Sequence, residues 1–220
     1  MSNIVKLPFI SGPTDYGDDV HKALEKILLK QAKPKDFSGD VRRAIDNGLS
    51  ALKDLEKQFP GLQLVGTEVR VDVPLKSIVQ YEHDDLIFTG KIDVLFKHDS
   101  GYLLVDWKTD RDEEGSSKHK RQLSVYKKAY SKRDNIPEDK ITTCVIFIAL
   151  RESVNTGKFG RSIAIGTRNP FPTFERHLQK ILGWRKDPNA FIEDLLDPLL
   201  HKETDELFLA IKEKLANDST

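Results

Sequence analysis

The chain has 220 residues, its 35 lysines and arginines balanced by 35 aspartates and glutamates, with 38% hydrophobic and 32% charged residues. Zero net charge excludes a protein that finds polyanions by its overall field, so any affinity for nucleic acid must come from local clustering. The single cysteine, Cys144, excludes an internal disulfide and any cysteine-ligated zinc or iron–sulfur centre built from this chain alone.

A chain of this length can hide roughly 70% of its unfolded surface in one core. Its start, Met1-Ser2-Asn3-Ile4-Val5-Lys6-Leu7-Pro8, has no apolar leader, and no run reaches membrane-spanning length. A cytoplasmic protein with no membrane partner is therefore expected. Residues 1–16 read as extended and irregular. A helix is expected over 17–32, where Val20, Ala23, Leu24, Ile27 and Leu28 recur at three- and four-residue spacing. Asp15 or Asp18 is placed to cap it, and Pro34 lies just beyond its end. A second helix, 38–59, carries Val41, Ile45, Leu49, Leu52, Leu55 and Phe59 in one stripe between a Ser38 cap and a Pro60-Gly61 stop. Gly48 costs this helix about 1 kcal/mol relative to alanine.

Strand patterns follow. Residues 62–73 end in alternation, with Val69, Val71 and Val73 against Glu68, Arg70 and Asp72. Residues 87–97 and 102–109 form a pair joined by the turn His98-Asp99-Ser100-Gly101. Next come a basic helix over 116–133, a buried strand over 141–150 that includes Cys144, and a short strand over 162–166 beyond a Gly157/Gly160 turn. The end reads as helical from Thr173, with breaks at Pro188 and Pro198 and with Trp184 and Phe191–Leu200 as packing. Strands flanked by helices imply an α/β fold with a mixed central β-sheet. One domain over 1–220 is expected, with an N-terminal helical part (1–60), a sheet core with the basic helix (61–166) and C-terminal helices (167–220).

Two short runs carry the chemistry: Gly90-Lys91-Ile92-Asp93 and, thirteen residues after that aspartate, Asp106-Trp107-Lys108. Strand alternation puts Asp106 and Lys108 on one side, with Val105 and Trp107 on the other. A neighbouring strand can present Asp93 beside them. Acids inside apolar strands such as Tyr102–Val105 pay a desolvation penalty unless paired or metal-bound. On alternation alone the trio reads either as a solvated Lys–Asp pair or as a site.

The ordered set of motifs resembles the PD-(D/E)XK nuclease superfamily, and more narrowly its RecB-like branch. That pattern is G-x-(I/V)-D, then D-(Y/W)-K-T, then Q-x-x-x-Y. Gly90–Asp93, Asp106–Thr109 and Gln122/Tyr126 match it in order, and Tyr16–Glu25 is similar to the upstream helical histidine motif. The resemblance implies a restriction-endonuclease-like core. It assigns Asp93 and Asp106 as metal-binding carboxylates, the Trp107 carbonyl as a further ligand, and Lys108 as the group that orients or helps deprotonate the attacking water. His21 would approach the same metal, and Glu68 matches the additional family acid or else lies on a solvated face with Arg70 and Asp72. Hard oxygen donors suit Mg2+, and a histidine shifts the preference towards Mn2+.

Residues 118–133 contain seven lysines and arginines and no acid. Lys120, Arg121 and Lys127, with Arg111 nearby, are placed to hold phosphates. Gln122 and Tyr126 share a helix face, and either bind DNA or pack internally. No base-reading module is visible, so backbone-directed binding is expected. No helicase motif is present, so a free-standing enzyme is expected, similar to single-strand-preferring exonucleases of mitochondrial genome maintenance and phage recombination. Expected, then, is a deoxyribonuclease acting on single-stranded or free-ended DNA in recombination, repair or replication. A structure-selective endonuclease and a catalytically silent DNA-binding module are the alternatives.

Overall fold

The computed structural model describes residues 15–79, 86–152 and 158–169, and six helical positions between Pro172 and Gly183. The chain divides into two compact units, one built on Gly12–Pro170 and one on Phe171–Thr220. Expectations for residues 1–14, for Gly157, and for Trp184 and the stretches beyond it lie outside the described residues. No helix among the described residues is long and apolar enough to cross a membrane.

In the larger unit, helices α1 (Asp15–Leu28) and α2 (Gly39–Gln58) precede strands β1 (Gln63–Pro74), β2 (Ile87–His98) and β3 (Gly101–Lys108). Helix α3 (Ser116–Asp134) then leads to β4 (Ile141–Glu152) and β5 (Lys158–Ile165). The five strands lie in the order β1-β2-β3-β4-β5, antiparallel throughout except for the parallel pair β3/β4. A parallel pair needs a long crossover, and α3 supplies it. The architecture is therefore the expected mixed sheet flanked by helices.

Alternation divides the sheet into two faces. Val94, Phe96, Leu103, Val105, Trp107, Cys144, Ile146 and Ile148 form one core with Val20, Ala23 and Leu24 of α1 and Ala44, Ile45, Ala51 and Leu55 of α2. Leu95, Leu104, Val145 and Phe147 alternate with that set and are also buried, on the α3 side. Cys144 is a core residue, and burial pushes its thiol up to about 12.

Helix α2 packs its whole expected stripe on the core, but its most buried line also takes in small residues that the stripe left out. Its fully buried residues are Ala44, Ile45, Gly48, Ala51 and Leu55, while Val41, Leu49, Leu52 and Phe59 pack at the margins. Small residues at the centre let α2 come close. A Cβ on Gly48 would stand 3.2 Å from Leu24 Cδ2 and 3.6 Å from Trp107 Cζ3. Gly48 thus exchanges helix propensity for close packing.

Three other boundaries differ from expectation. Helix α1 ends at Leu28 rather than 32, because Lys30 turns left-handed (φ 59°) and the Gln31 N–H closes back on the Lys26 carbonyl. Ser38 occupies the N-cap position of α2, but its side chain makes no capping hydrogen bond. Gly160 lies inside β5, paired with Leu150 where the β4 register shifts, rather than in a turn. Asn47 of α2 grips that irregularity, donating to the Ile148 and Gly160 carbonyls at 3.0 and 3.2 Å.

Candidate functional site

The β2/β3 ladder runs outward from the His98/Gly101 turn and ends at Val94 opposite Val105. The next residues are Asp93 and Asp106. With the backbone pairing finished, the Asp93 carboxylate accepts the Trp107 N–H at 2.9 Å, a side chain replacing the missing ladder partner. Trp107 stays in the core on its other face, at 2% exposure. Asp106 is 4% exposed. Its Oδ1 accepts from Lys108 Nζ at 3.1 Å, and Oδ2 lies 2.9 Å from the same ammonium but has no hydrogen-bond partner.

Charge is expensive here. Burial pushes both Asp93 and Asp106 up to about 6. For Asp93, Lys108 and the Trp107 N–H oppose that rise; for Asp106, the neighbouring Asp93 adds to it and Lys108 opposes. A rise from the ordinary 3.8 disfavours each ionised form by about 3 kcal/mol. Burial works against the Lys108 ammonium too, but Asp106 and then Asp93 outweigh it and hold its pKa above the usual lysine range.

Helix α1 and strand β1 complete the cluster. Thr67 pairs with Val94 and Val69 with Ile92, so Glu68 stands opposite Asp93. Glu68 has left-handed backbone (φ 52°), which costs a residue with a Cβ roughly 1–2 kcal/mol. The conformation breaks the alternation that would have grouped Glu68 with Arg70 and Asp72. Those two instead pair with each other at 2.6 Å on the exposed side. Glu68, His21 and Asp93 bring one ligand atom each within 4.8 Å of one another. His21 Nδ1 lies 3.6 Å from Asp93 Oδ2, beside the Trp107 backbone. Burial, then Lys108, lowers the His21 pKa, so the ring is neutral at pH 7 and keeps a lone pair. Asp106 stands outside this trio, drawn to Lys108.

Helix α3 forms the opposite wall. Gln122 Nε2 donates to Tyr126 Oη at 3.0 Å, so these two are bonded to each other beside the acids. Burial raises the Tyr126 pKa, and Asp106 and Asp93 raise it further. Gly90 makes room for this ring: an added Cβ would sit 2.7 Å from Tyr126 Cε1. Lys120, Arg121 and Lys127 are half-buried on α3, and no ion pair among the described residues engages them. Arg111 has partners within the protein. It stacks over the Tyr16 ring at 5.4 Å and reaches the Ala149 carbonyl at 3.4 Å, anchoring the loop after β3.

One neighbour of the acids, His119, matches none of the motifs. It shares the Gln122/Tyr126 face of α3 at i and i+3, and that spacing is the only signal of it in the sequence. Its Nε2 lies 3.1 Å from Asp110, and its ring meets Phe147, the β4 partner of Lys108, edge to face at 5.9 Å. Burial, then Lys108, lowers its pKa.

The family model of the PD-(D/E)XK nuclease superfamily matches residues 8–193. An ATP-dependent helicase/nuclease subunit of Thermoanaerobacter sp. (strain X514) is 25% identical over 142 residues, covering 60% of this chain and 11% of that protein. The corresponding helicase/nuclease protein of Clostridium perfringens (strain 13 / Type A) is 28% identical over 131 residues, covering 52% and 10%. The chain thus spans about a tenth of the length of these relatives. The crystal structure of SSO0001 aligns at 12% identity over 77% of this chain and 86% of that one, with a TM-score of 0.35, too loose a likeness to carry an argument. The family match covers most of a chain built on a mixed five-stranded sheet, and its relatives are helicase/nuclease subunits in line with the RecB-like motif pattern; the chain belongs to the PD-(D/E)XK nuclease superfamily.

Proposed function

We propose that the chain is a divalent-metal-dependent deoxyribonuclease, acting as an exonuclease on single-stranded or free-ended DNA in recombination, repair or replication. The observation that carries this reading is the convergence of Asp93, Asp106 and Lys108 at the open end of β2/β3, with Glu68 and His21 beside them. The relatives' helicase/nuclease character supports the DNA substrate and the recombination or repair setting.

The donor set fits a hard divalent ion. Three carboxylates, a backbone carbonyl and one neutral imidazole suit Mg2+ or Mn2+, and the imidazole favours Mn2+. Asp106 Oδ2 is buried, and the Lys108 ammonium 2.9 Å away supplies the counter-charge that balances it. Asp93, Asp106, Glu68, His21 and the Trp107 carbonyl are the groups that would hold the ion. When bound, it supplies Lewis acidity at the phosphate and makes the attacking water more acidic.

The remaining steps belong to the protein. Lys108 stays an ammonium beside two carboxylates, so it acts as a donor that orients water and offsets charge building on the phosphate oxygens. It is not a proton acceptor in this arrangement. Asp93 fixes the Trp107 peptide through its N–H and keeps the splayed strand end in place. Lys120, Arg121 and Lys127 hold the sugar–phosphate chain by charge, and Tyr126 with Gln122 lines its path, without reading bases.

The test is degradation of end-labelled linear and circular single strands with Mg2+ and with Mn2+. The exonuclease reading expects loss of the linear strand only. Cleavage of the circle would replace it with an endonuclease, and tight DNA binding with no hydrolysis in either metal would show a silent module.

A further inference from the structure

Lys91 occupies the position that the G-x-(I/V)-D pattern leaves open, yet it faces the same cluster. It precedes Asp93 by two residues on β2 and so shares its face. Its ammonium forms an ion pair with Glu68, and its side chain is 62% exposed, reaching the cluster from the solvent side. Asp93 and Glu25 also contribute to its field.

The need for such a group follows from the trio. Glu68 and Asp93 lie within 4.8 Å of each other, where two carboxylates repel by about 1 kcal/mol even in bulk water and by more in a lower-permittivity site. Glu68 also keeps a left-handed backbone to be there. We propose that Lys91 is a built-in stand-in for the divalent ion: its ammonium neutralises Glu68 beside Asp93 when the site is empty of metal, and metal loading displaces it. The inference rests on the metal-site reading above and adds to it a competition that sets metal affinity. Lys91 then holds the acids in position for loading at the expense of tightness.

Calorimetric titration of the full chain with Mn2+ at low ionic strength tests this without measuring activity. Removing a unit charge near a dication predicts roughly three- to tenfold tighter Mn2+ binding by Lys91→Met. Lys91→Arg, which keeps the charge, should bind like the wild type. In a Glu68→Gln background the gain from Lys91→Met should shrink to less than half. Unchanged or weaker binding by Lys91→Met, binding by Lys91→Arg as tight as that of Lys91→Met, or an undiminished gain without Glu68 would each overturn the stand-in. A wild-type chain that binds no Mn2+ would instead overturn the metal-site reading, and this inference with it.

Discussion

The two ends of the β2/β3 pair differ in one respect that decides what each can do. Between the turn and Val94/Val105 the strands satisfy each other, and their side chains, Leu95, Phe96, Leu103 and Leu104, are buried and apolar. One residue further out the ladder stops, and within three residues of β3 come an acid, an N–H taken up by another acid, and a lysine. The closed end supplies rigidity without a buried carboxylate. The open end carries two carboxylates that burial pushes up to about 6, a cost of about 3 kcal/mol each when ionised. A sheet can hold such a cluster only where a packed core lies immediately beside it.

The comparison is broken most severely from the apolar side. Trp107→Ala empties the wedge between β3 and the two helices, and should destabilise the protein by about 3–5 kcal/mol in denaturant unfolding. If stability falls by less than a third of that, Trp107 is not the support of the open end.

Acidity acts on the other side. Both acids must be ionised to hold a cation, so Mn2+ affinity should fall by about a hundredfold between pH 7 and pH 5, tenfold for each acid titrating near 6. The metal-free protein should respond in the opposite sense. A carboxylate whose folded pKa is raised contributes stability that is fully present below its unfolded value near 4 and is lost as pH rises through about 6. Melting in chelator should therefore show these two groups favouring pH 5 over pH 7. An affinity indifferent to pH over this range would separate the acids from metal binding.

Gly90→Ala sharpens the contrast at the junction. The new methyl lies 2.7 Å from the Tyr126 ring, so about 1–3 kcal/mol should be lost, and Tyr126→Ala should recover most of it. A full cost that persists without the tyrosine ring would assign it to Phe88, whose Cε1 lies 3.0 Å from the added Cβ, or to backbone needs instead. The smallest effect is on the path beyond the acids. Lys120→Ala with Lys127→Ala should leave melting unchanged and reduce the magnitude of the log–log salt slope of single-strand binding by about 1.4. An unaltered slope removes α3 from that path.

How much of this was legible in the sequence depends on the range of the forces involved. The elements were legible because periodicity is local, as were the two acids and the lysine, whose face is fixed by alternation. The α2 stripe was legible in its large residues but not in its small ones, because size complementarity, not hydrophobicity, sets Gly48 against Leu24 and Trp107. Glu68 was legible only through the family resemblance, with a solvated face as the alternative: a left-handed residue in a strand has no composition cue, and its aim depends on the partner strand. His119 could have been found by extending the Gln122/Tyr126 face by one turn. The hold on Arg111 could not, since it depends on Tyr16 and Ala149, brought in from remote parts of the chain.

The claim at the centre is that the open end of β2/β3 hydrolyses DNA. The direct measurement is the shortening of an end-labelled single strand in Mn2+ by the wild type and by Asp106→Asn, with both proteins shown to be folded by their melting. The geometry of the site predicts rapid shortening by the wild type and a loss of about a thousandfold or more in the variant. Equal shortening by the two proteins would contradict it.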